Sequence, residues 1–294
     1  MSKATANDRV AQITAHLAAV GPSLRDKVCI VTGAGSPYGI GRATVYALAR
    51  RGPKVIYATD LGVDDLQGLP EDVESKYPGV QVIIRAVNAA KTADVTAVID
   101  DAVEKFGRLD VFFANAGIAT GNMLQGEDEE SFMTMMGINA LSAFLACRYA
   151  GPAMQITGKG GKDRSGGSII CTASVAGIRS GAGSPEYSAS KAAVINLCQT
   201  SSFQYAGTDV RVNAMCPGLI ETGMTKPTFD YAREKGSAHK IGQLNPTRRY
   251  GVSAEIANVV AFLASDEASY VNGQAIAVDG GLSASHPVVP GRFH

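Results

Sequence analysis

From Lys27 onward the chain alternates short apolar runs with longer stretches whose apolar residues recur at helical spacing. The runs VCIV (28–31), VIYAT (55–59), VQVII (80–84), VFFA (111–114), SIICT (168–172), RVNAM (211–215) and AIAV (275–278) read as strands. Helices are predicted over about 39–51, 92–106, 129–154, 187–206 and 253–264. Short apolar strands separated by helices imply βαβ units, because parallel neighbours need a long crossover and both sheet faces are then covered. The expected fold class is α/β: a Rossmann-like, doubly wound, parallel seven-stranded sheet in a single domain. No compositional break divides residues 26–294, and there is no internal repeat. Residues 1–25 read as an N-terminal extension. Within it Asn7 or Asp8 could cap a short helix with Val10, Ile13, Leu17 and Val20 on one face, ended by Gly21-Pro22. The run GKGGKDRSGG (158–167) reads as a surface loop.

Ligands of an open parallel sheet bind beyond the carboxyl ends of its strands, so the residues that follow each strand carry the chemistry. After the first strand comes Thr32-Gly33-Ala34-Gly35-Ser36-Pro37-Tyr38-Gly39-Ile40-Gly41, running straight into a helix. Glycines let backbone approach a pyrophosphate, and the helix N-terminus supplies N–H donors and positive potential. Asp60 ends the second strand. A carboxylate there accepts both hydroxyls of an adenosine ribose and repels a 2′-phosphate. Leu61 follows it, and no Arg or Lys lies within the glycine turn, which favours NAD over NADP.

Tyr187 and Lys191 are four apart in PEYSASKAAV, at the start of a predicted helix, and so share one face. A phenol titrates near pH ~10 and needs a neighbouring cation to act as a base at neutral pH. The spacing alone would arise often by chance. Its weight comes from Ser174 at the end of the strand before it, Asn115-Ala116-Gly117 after the fourth strand, Asn139 in mid-helix, and Pro217-Gly218 after the sixth strand. Asn is a poor helix former, so Asn139 calls for a reason.

Composition narrows the picture. Lys+Arg and Asp+Glu are both 27, so nothing resembles a basic nucleic-acid footprint, and low net charge does little to oppose self-association. The five cysteines sit mostly in apolar runs without zinc spacing, as expected of free thiols in a reducing compartment. The four histidines are scattered, and no metal site is expected. No signal pattern or membrane-length apolar run stands out, so a cytoplasmic location is the expectation.

In order, TGAGSPYGIG, Asp60, the Asn115-Ala116-Gly117 triplet, Asn139, Ser174, Tyr187-Ser188-Ala189-Ser190-Lys191, CPGLIET (216–222) and VDGG (278–281) resemble the marks of the short-chain dehydrogenases/reductases of compact single-domain type, over about residues 26–283. The resemblance implies hydride transfer between a nicotinamide and a carbinol carbon, with Tyr187 as general acid/base. It implies that Lys191 lowers the Tyr187 pKa and binds the nicotinamide ribose, that Ser174 positions the substrate oxygen, and that Asn139 links Lys191 to a water relay. Gly33, Ser36, Gly39 and Ile40 would form the pyrophosphate turn, with Asp60 on the ribose and Val87 and Asn88 beside adenine. Asn115, Ala116 and Gly117 would line the cofactor cleft, and Pro217, Gly218, Ile220 and Thr222 the segment over the nicotinamide. A homo-oligomer, dimer or tetramer, is implied through the helices before the fifth and sixth strands.

Three departures stand out. Pro37-Tyr38 reads as a two-residue insertion in the glycine turn. That longer turn resembles enoyl reductases of the same superfamily, but those have a longer Tyr-to-Lys spacing, so a carbonyl substrate is expected. Asn88 stands where the family usually has Asp. The extension and the 158–167 loop exceed the family minimum. The substrate is expected to be a mid-sized, partly apolar secondary alcohol, closed over by about 222–248 with Met224, Phe229 and Tyr231, and lined near Ile118, Ala119, Val175, Ala176 and 179–186. Two alternatives remain open: an NADPH-dependent carbonyl reductase, and a non-catalytic NAD-binding regulatory protein.

Overall fold

The computed structural model describes residues 24–121 and 123–285, so the helix expected near residues 10–20 lies outside the described residues. The chain runs β1 (Val28–Thr32), α1 (Ile40–Ala49), β2 (Val55–Asp60), α2 (Leu69–Lys76), β3 (Gln81–Ala86), α3 (Thr92–Phe106) and β4 (Val111–Ala114). It continues through α4 (Glu129–Met154), β5 (Gly167–Thr172), α5 (Pro185–Gln204) and β6 (Val210–Pro217). The short strand β7 (Ile220–Glu221), α6 (Lys226–Glu234), the short strand β8 (Gly251–Val252), α7 (Ser253–Ala264) and β9 (Ala275–Val278) complete it.

Seven parallel strands form one sheet in the order β3-β2-β1-β4-β5-β6-β9. Val28 faces Val55 on one side of β1, and Cys29 faces Val111 on the other. The chain winds outward from β1 to β3, then crosses back to β4, so the order reverses at β1 and β4. That reversal opens the crevice in which such sheets bind ligands.

Period-two alternation divides β1 between two cores. Val28 and Ile30 join Phe112, Ile169 and Val212 under α3, α4 and α5. Cys29 and Val31 join Phe113, Ile170 and Met215 under α1 and α7. Each fully buried side chain of this kind stabilises by about 1.5–3 kcal/mol, which holds the sheet rigid beneath its loop edge. Among the described residues, α4 is the one helix long and apolar enough to cross a membrane by length and composition. Here it packs on the sheet between α3 and α5.

All seven expected strands form. The sequence reading missed α2, whose LPEDVESK places only Leu69 and Val73 in the core and is otherwise polar. It also left α6 and the β7–β8 pair inside an unassigned segment. Loop 158–167 is only partly a surface loop: Lys162 is 5% exposed, and its ammonium donates to the carbonyls of Leu109 (2.7 Å), Met154 (2.7 Å) and Gly166 (2.8 Å). Phe229, in the segment expected to close over the substrate, is buried edge-on against Tyr250.

Candidate active site

The glycine turn is shaped by close backbone packing. Gly33 has φ +68°, and a Cβ there would stand 2.9 Å from Ala116 Cα. A Cβ at Gly41 would stand 2.2 Å from the Gly33 carbonyl oxygen. The Gly39 N–H donates to the Ser36 carbonyl at 2.9 Å, and Ile40 opens α1. The inserted Pro37-Tyr38 is absorbed at the tip of the turn: Tyr38 is 77% exposed, and its carbonyl accepts from the Ser253 hydroxyl at 2.6 Å.

Asp60 closes the other side of this turn. Its Oδ2 accepts the Gly35 N–H at 2.7 Å, and its Oδ1 accepts the Leu61 N–H at 2.8 Å. Each oxygen keeps a further lone pair. Val87 is buried, and its N–H donates to the Asp60 carbonyl at 2.7 Å. Asn88 is exposed beside it, with Oδ1 accepting the Ala90 N–H at 3.0 Å. Asn115 fastens three strands: its Nδ2 donates to the carbonyls of Thr32 and Gly33 at 3.1 Å each, and its Oδ1 accepts from the Thr172 hydroxyl at 3.1 Å. The Ala116 N–H donates to Thr32 Oγ1 at 3.1 Å. The NAG triplet thus holds the glycine turn in place.

The catalytic candidates converge at the same edge. Pro185 begins α5 and puts Tyr187 in its first turn. The Ser174 hydroxyl neighbours the Tyr187 phenol, and its Oγ accepts the Ala176 N–H at 3.1 Å. Lys191, one turn on, is 4% exposed; its ammonium donates to the Thr172 carbonyl at 2.8 Å and lies 5.6 Å from the Tyr187 ring centre. Burial pushes the Lys191 ammonium down to about 8. Burial also pushes the Tyr187 phenol above its ordinary value, with the Ser174 hydroxyl opposing. In the protein alone, burial is the larger influence on the Tyr187 phenol and the Ser174 hydroxyl the one that opposes it.

Asn139 is buried in mid-α4, where its Nδ2 donates to the Ile118 carbonyl (3.0 Å) and to Ser190 Oγ (3.0 Å). Ser190 in turn donates to the Tyr187 carbonyl at 2.7 Å. After β6, the Gly218 N–H donates to the Val278 carbonyl at 3.0 Å, and a Cβ at Gly218 would stand 2.7 Å from Asp279 Cα. Ile220 is buried in β7, and the Thr222 N–H donates to Thr225 Oγ1 at 2.9 Å. Sequence reasoning quoted Thr32, Thr172 and Ser190 within its strands and motifs but gave them no role. Among the described residues no group of three or more His, Cys, Asp or Glu could hold a metal.

A family model described as Enoyl-(Acyl carrier protein) reductase matches residues 33–283. The 3-oxoacyl-(acyl-carrier-protein) reductase FabG of Thermotoga maritima is 39% identical over 259 residues, covering 88% of this chain and 98% of that protein. Levodione reductase of Leifsonia aquatica is 35% identical over 265 residues, covering 89% and 96%. A solved levodione reductase superposes with a TM-score of 0.81 at 35% identity, over 90% of this chain and 100% of that one. The L-sorbose reductase of Gluconobacter frateurii, solved with NADPH and L-sorbose, superposes with a TM-score of 0.81 at 28% identity, over 91% and 100%. With a family model matched over residues 33–283 and relatives at 39% and 35% identity aligned nearly end to end, the chain belongs to the short-chain dehydrogenase/reductase family of oxidoreductases.

Proposed function

We propose that the chain is an NAD-dependent oxidoreductase that interconverts a secondary alcohol and a ketone, with Tyr187 as general acid/base. The observation that carries this reading is the buried Lys191, its ammonium on the Thr172 carbonyl and 5.6 Å from the Tyr187 ring centre, with Ser174 beside that phenol. When bound, NAD supplies a hydride acceptor and a positive charge at its nicotinamide. The fit for it rests on the glycine turn, where a Cβ at Gly35 would stand 2.7 Å from Asp60 Oδ2, and on the free lone pairs of Asp60. Ser174 orients the substrate oxygen, Tyr187 takes or returns the hydroxyl proton, and Lys191 holds ribose and favours the phenolate.

A carbonyl substrate is favoured over an enoyl one because Tyr187 and Lys191 are four apart and Ser174 is present. NADPH use is the second reading, since the L-sorbose reductase was solved with NADPH; Asp60 opposes it by repelling a 2′-phosphate. An intact Ser174, Tyr187 and Lys191 speak against a non-catalytic NAD-binding protein. Five free, buried thiols suit the reducing cytoplasm. Exposed Phe132, Leu141 and Phe144 on α4 and Phe203 on α5 support a homotetramer or dimer through those helices.

The test is cofactor reduction over a panel of secondary alcohols, sugars, steroids and terpenoids with NAD and NADP. The expected result is turnover with a kcat/KM at least about tenfold higher for NAD, because a charged ribose contact is worth about 1.5–3 kcal/mol. Tighter binding of NADP overturns the assignment of Asp60, and NAD binding with no turnover on any substrate overturns the enzyme reading.

A further inference from the structure

The sequence leaves the glycine turn without a cation, but the fold brings one back to it. Arg42 is the third residue of α1, a helix with no acid in its first turn. The positive end of a helix dipole disfavours a cation there, so the placement needs another cause. Helical side chains lean toward the N-terminus of their helix, and Arg42 folds back over the turn that precedes it. Its Nε donates to the Ala34 carbonyl at 2.9 Å, and its Nη2 donates to the Gly35 carbonyl at 2.8 Å. Nη2 also donates to the Asp65 carbonyl, in the short helical turn Asp64–Leu66 that follows β2.

These bonds join the turn after β1 to the turn after β2, and Asp60 is bonded to the first and leads into the second. Gly35 is gripped through both of its peptide groups: the Asp60 carboxylate accepts its N–H at 2.7 Å, and the Arg42 guanidinium donates to its carbonyl. Ala34 is held in the same way, with its N–H donating to the Thr59 carbonyl at 3.0 Å and its carbonyl accepting from Arg42. Beyond Asp60, Leu61 is exposed, and a Cβ at Gly62 would touch nothing, so this stretch has little packing of its own until Leu66 enters the core. The guanidinium bonds carbonyls and forms no ion pair with Asp60, Asp64 or Asp65, so it leaves the Asp60 charge unneutralised. A planar fork of five donors can hold three carbonyls at once, which the single nitrogen of an ammonium does not match.

We propose that Arg42 is a positioning residue for the adenosine half of the dinucleotide: it fixes the gap between the glycine turn and residues 61–66, and so holds the Asp60 carboxylate where it tells a free ribose from a phosphorylated one. The inference rests on the reading of Asp60 as the ribose acid; the tie between the two turns does not. Arg42 acts through the backbone it holds. Without it the carbonyls of Ala34, Gly35 and Asp65 lose their donor, residues 61–66 part from the glycine turn, and the Asp60 carboxylate is no longer held in one place. NAD and ADP-ribose, which share the adenosine half, then lose affinity together. The preference for NAD over NADP shrinks as well, because it depends on Asp60 meeting the 2′ position.

The test compares wild type, Arg42→Met and Arg42→Lys as full chains. Without any cofactor, amide hydrogen exchange of peptides within 61–67 should be at least about tenfold faster in R42M, while peptides in β9, which Arg42 does not touch, stay within about twofold. Equal exchange of 61–67 in the two proteins overturns the proposal. Calorimetric titration should give Kd values for NAD and ADP-ribose at least about tenfold higher in R42M and intermediate in R42K, with the ratio of the NADP to the NAD Kd at least about fivefold smaller than in the wild type. Unchanged affinities for NAD and ADP-ribose in R42M overturn the proposal. So does a loss confined to NADP, which would make Arg42 a contact of the 2′-phosphate. If R42M does not fold, Arg42→Gln takes its place, since one amide has too few donors for three carbonyls, and wild-type values there overturn the proposal equally. A wild type that binds neither dinucleotide overturns the reading of Asp60 and the positioning role with it, while the tie between the turns still shows in the exchange. Where an alcohol is turned over, the loss in R42M should fall on the KM for NAD and leave kcat within about twofold.

Discussion

The carboxylate of Asp60 accepts the Gly35 N–H at 2.7 Å, so the acid at the end of β2 and the glycine turn after β1 are tied into one unit. A side chain at Gly35 would collide with that carboxylate. Asp60→Ala should therefore do two things. It removes the repulsion of a 2′-phosphate, and it leaves the N–H groups of Gly35 and Leu61 without their acceptor. Steady-state kinetics with both cofactors should show kcat/KM for NAD falling at least about tenfold, and the NAD-to-NADP preference falling by about 10²-fold, as expected for losing one charged contact and one like-charge barrier. An unchanged preference would remove Asp60 from cofactor selection.

Asn139 is a second case of one side chain holding a functional loop. Its Oδ1 accepts the Ile118 N–H at 2.9 Å, and its Nδ2 donates to the Ile118 carbonyl at 3.0 Å. Asn139→Ala leaves both backbone groups and Ser190 short of a partner. Thermal unfolding should show a loss of about 2–4 kcal/mol, since each buried group left unpaired costs about 1–3 kcal/mol. Asn139→Asp keeps the acceptor and loses the donors, and should fall between. A melt unchanged in N139A would show that water replaces the side chain.

Much of this was legible in the sequence because the signals are local. The apolar runs of β1, β4 and β6 gave the buried strands directly, and α3 and α4 appear with the expected bounds, Thr92–Phe106 and Glu129–Met154. Tyr187, Lys191, Ser174 and Asp60 were recognisable because strand ends place them on one edge. What stayed hidden depends on contacts distant in sequence. Glu186 reads as an ordinary helix-start acid until Thr120 folds against it. Lys162 reads as loop charge until three carbonyls surround it. α2 was missed because the burial of Leu69 and Val73 alone breaks no pattern.

Lys162 allows a sharp stability test. Its ammonium ties β4, the end of α4 and the start of β5 through three carbonyls and lies 3.4 Å from Asp110. Lys162→Met should destabilise at pH ~7 by about 2–4 kcal/mol by orphaning those groups. Burial, opposed by Asp110, brings the Lys162 ammonium from 10.5 down to about 8. The unfolded chain then holds more protons than the folded one between these values, so wild-type stability rises with pH across that window relative to K162M. Denaturant melts should show the difference between the two proteins widening by up to about 3 kcal/mol. A gap that narrows as pH rises from 8 to 10.5 would reverse the assigned sign.

Tyr187 and Lys191 should be separable by pH. Tyr187→Phe keeps the ring packing and loses the proton, so turnover should fall at least about 10²-fold while cofactor binding, read by fluorescence titration, stays within about twofold. Alcohol oxidation needs the phenolate and so should rise with pH. Burial brings Lys191 to about 8, and the kcat/KM profile reports titrations of the free enzyme. A limb near pH 8 should therefore appear in the wild type and vanish in Lys191→Met, leaving only a more alkaline rise that belongs to Tyr187. Because burial holds the phenol above its ordinary value in the protein alone, the kcat profile, read with cofactor bound, should sit at lower pH than that alkaline rise. If kcat and kcat/KM in K191M share one apparent pKa, the cofactor's charge does not act on Tyr187, and Lys191 must lower it by a route other than the one this geometry provides.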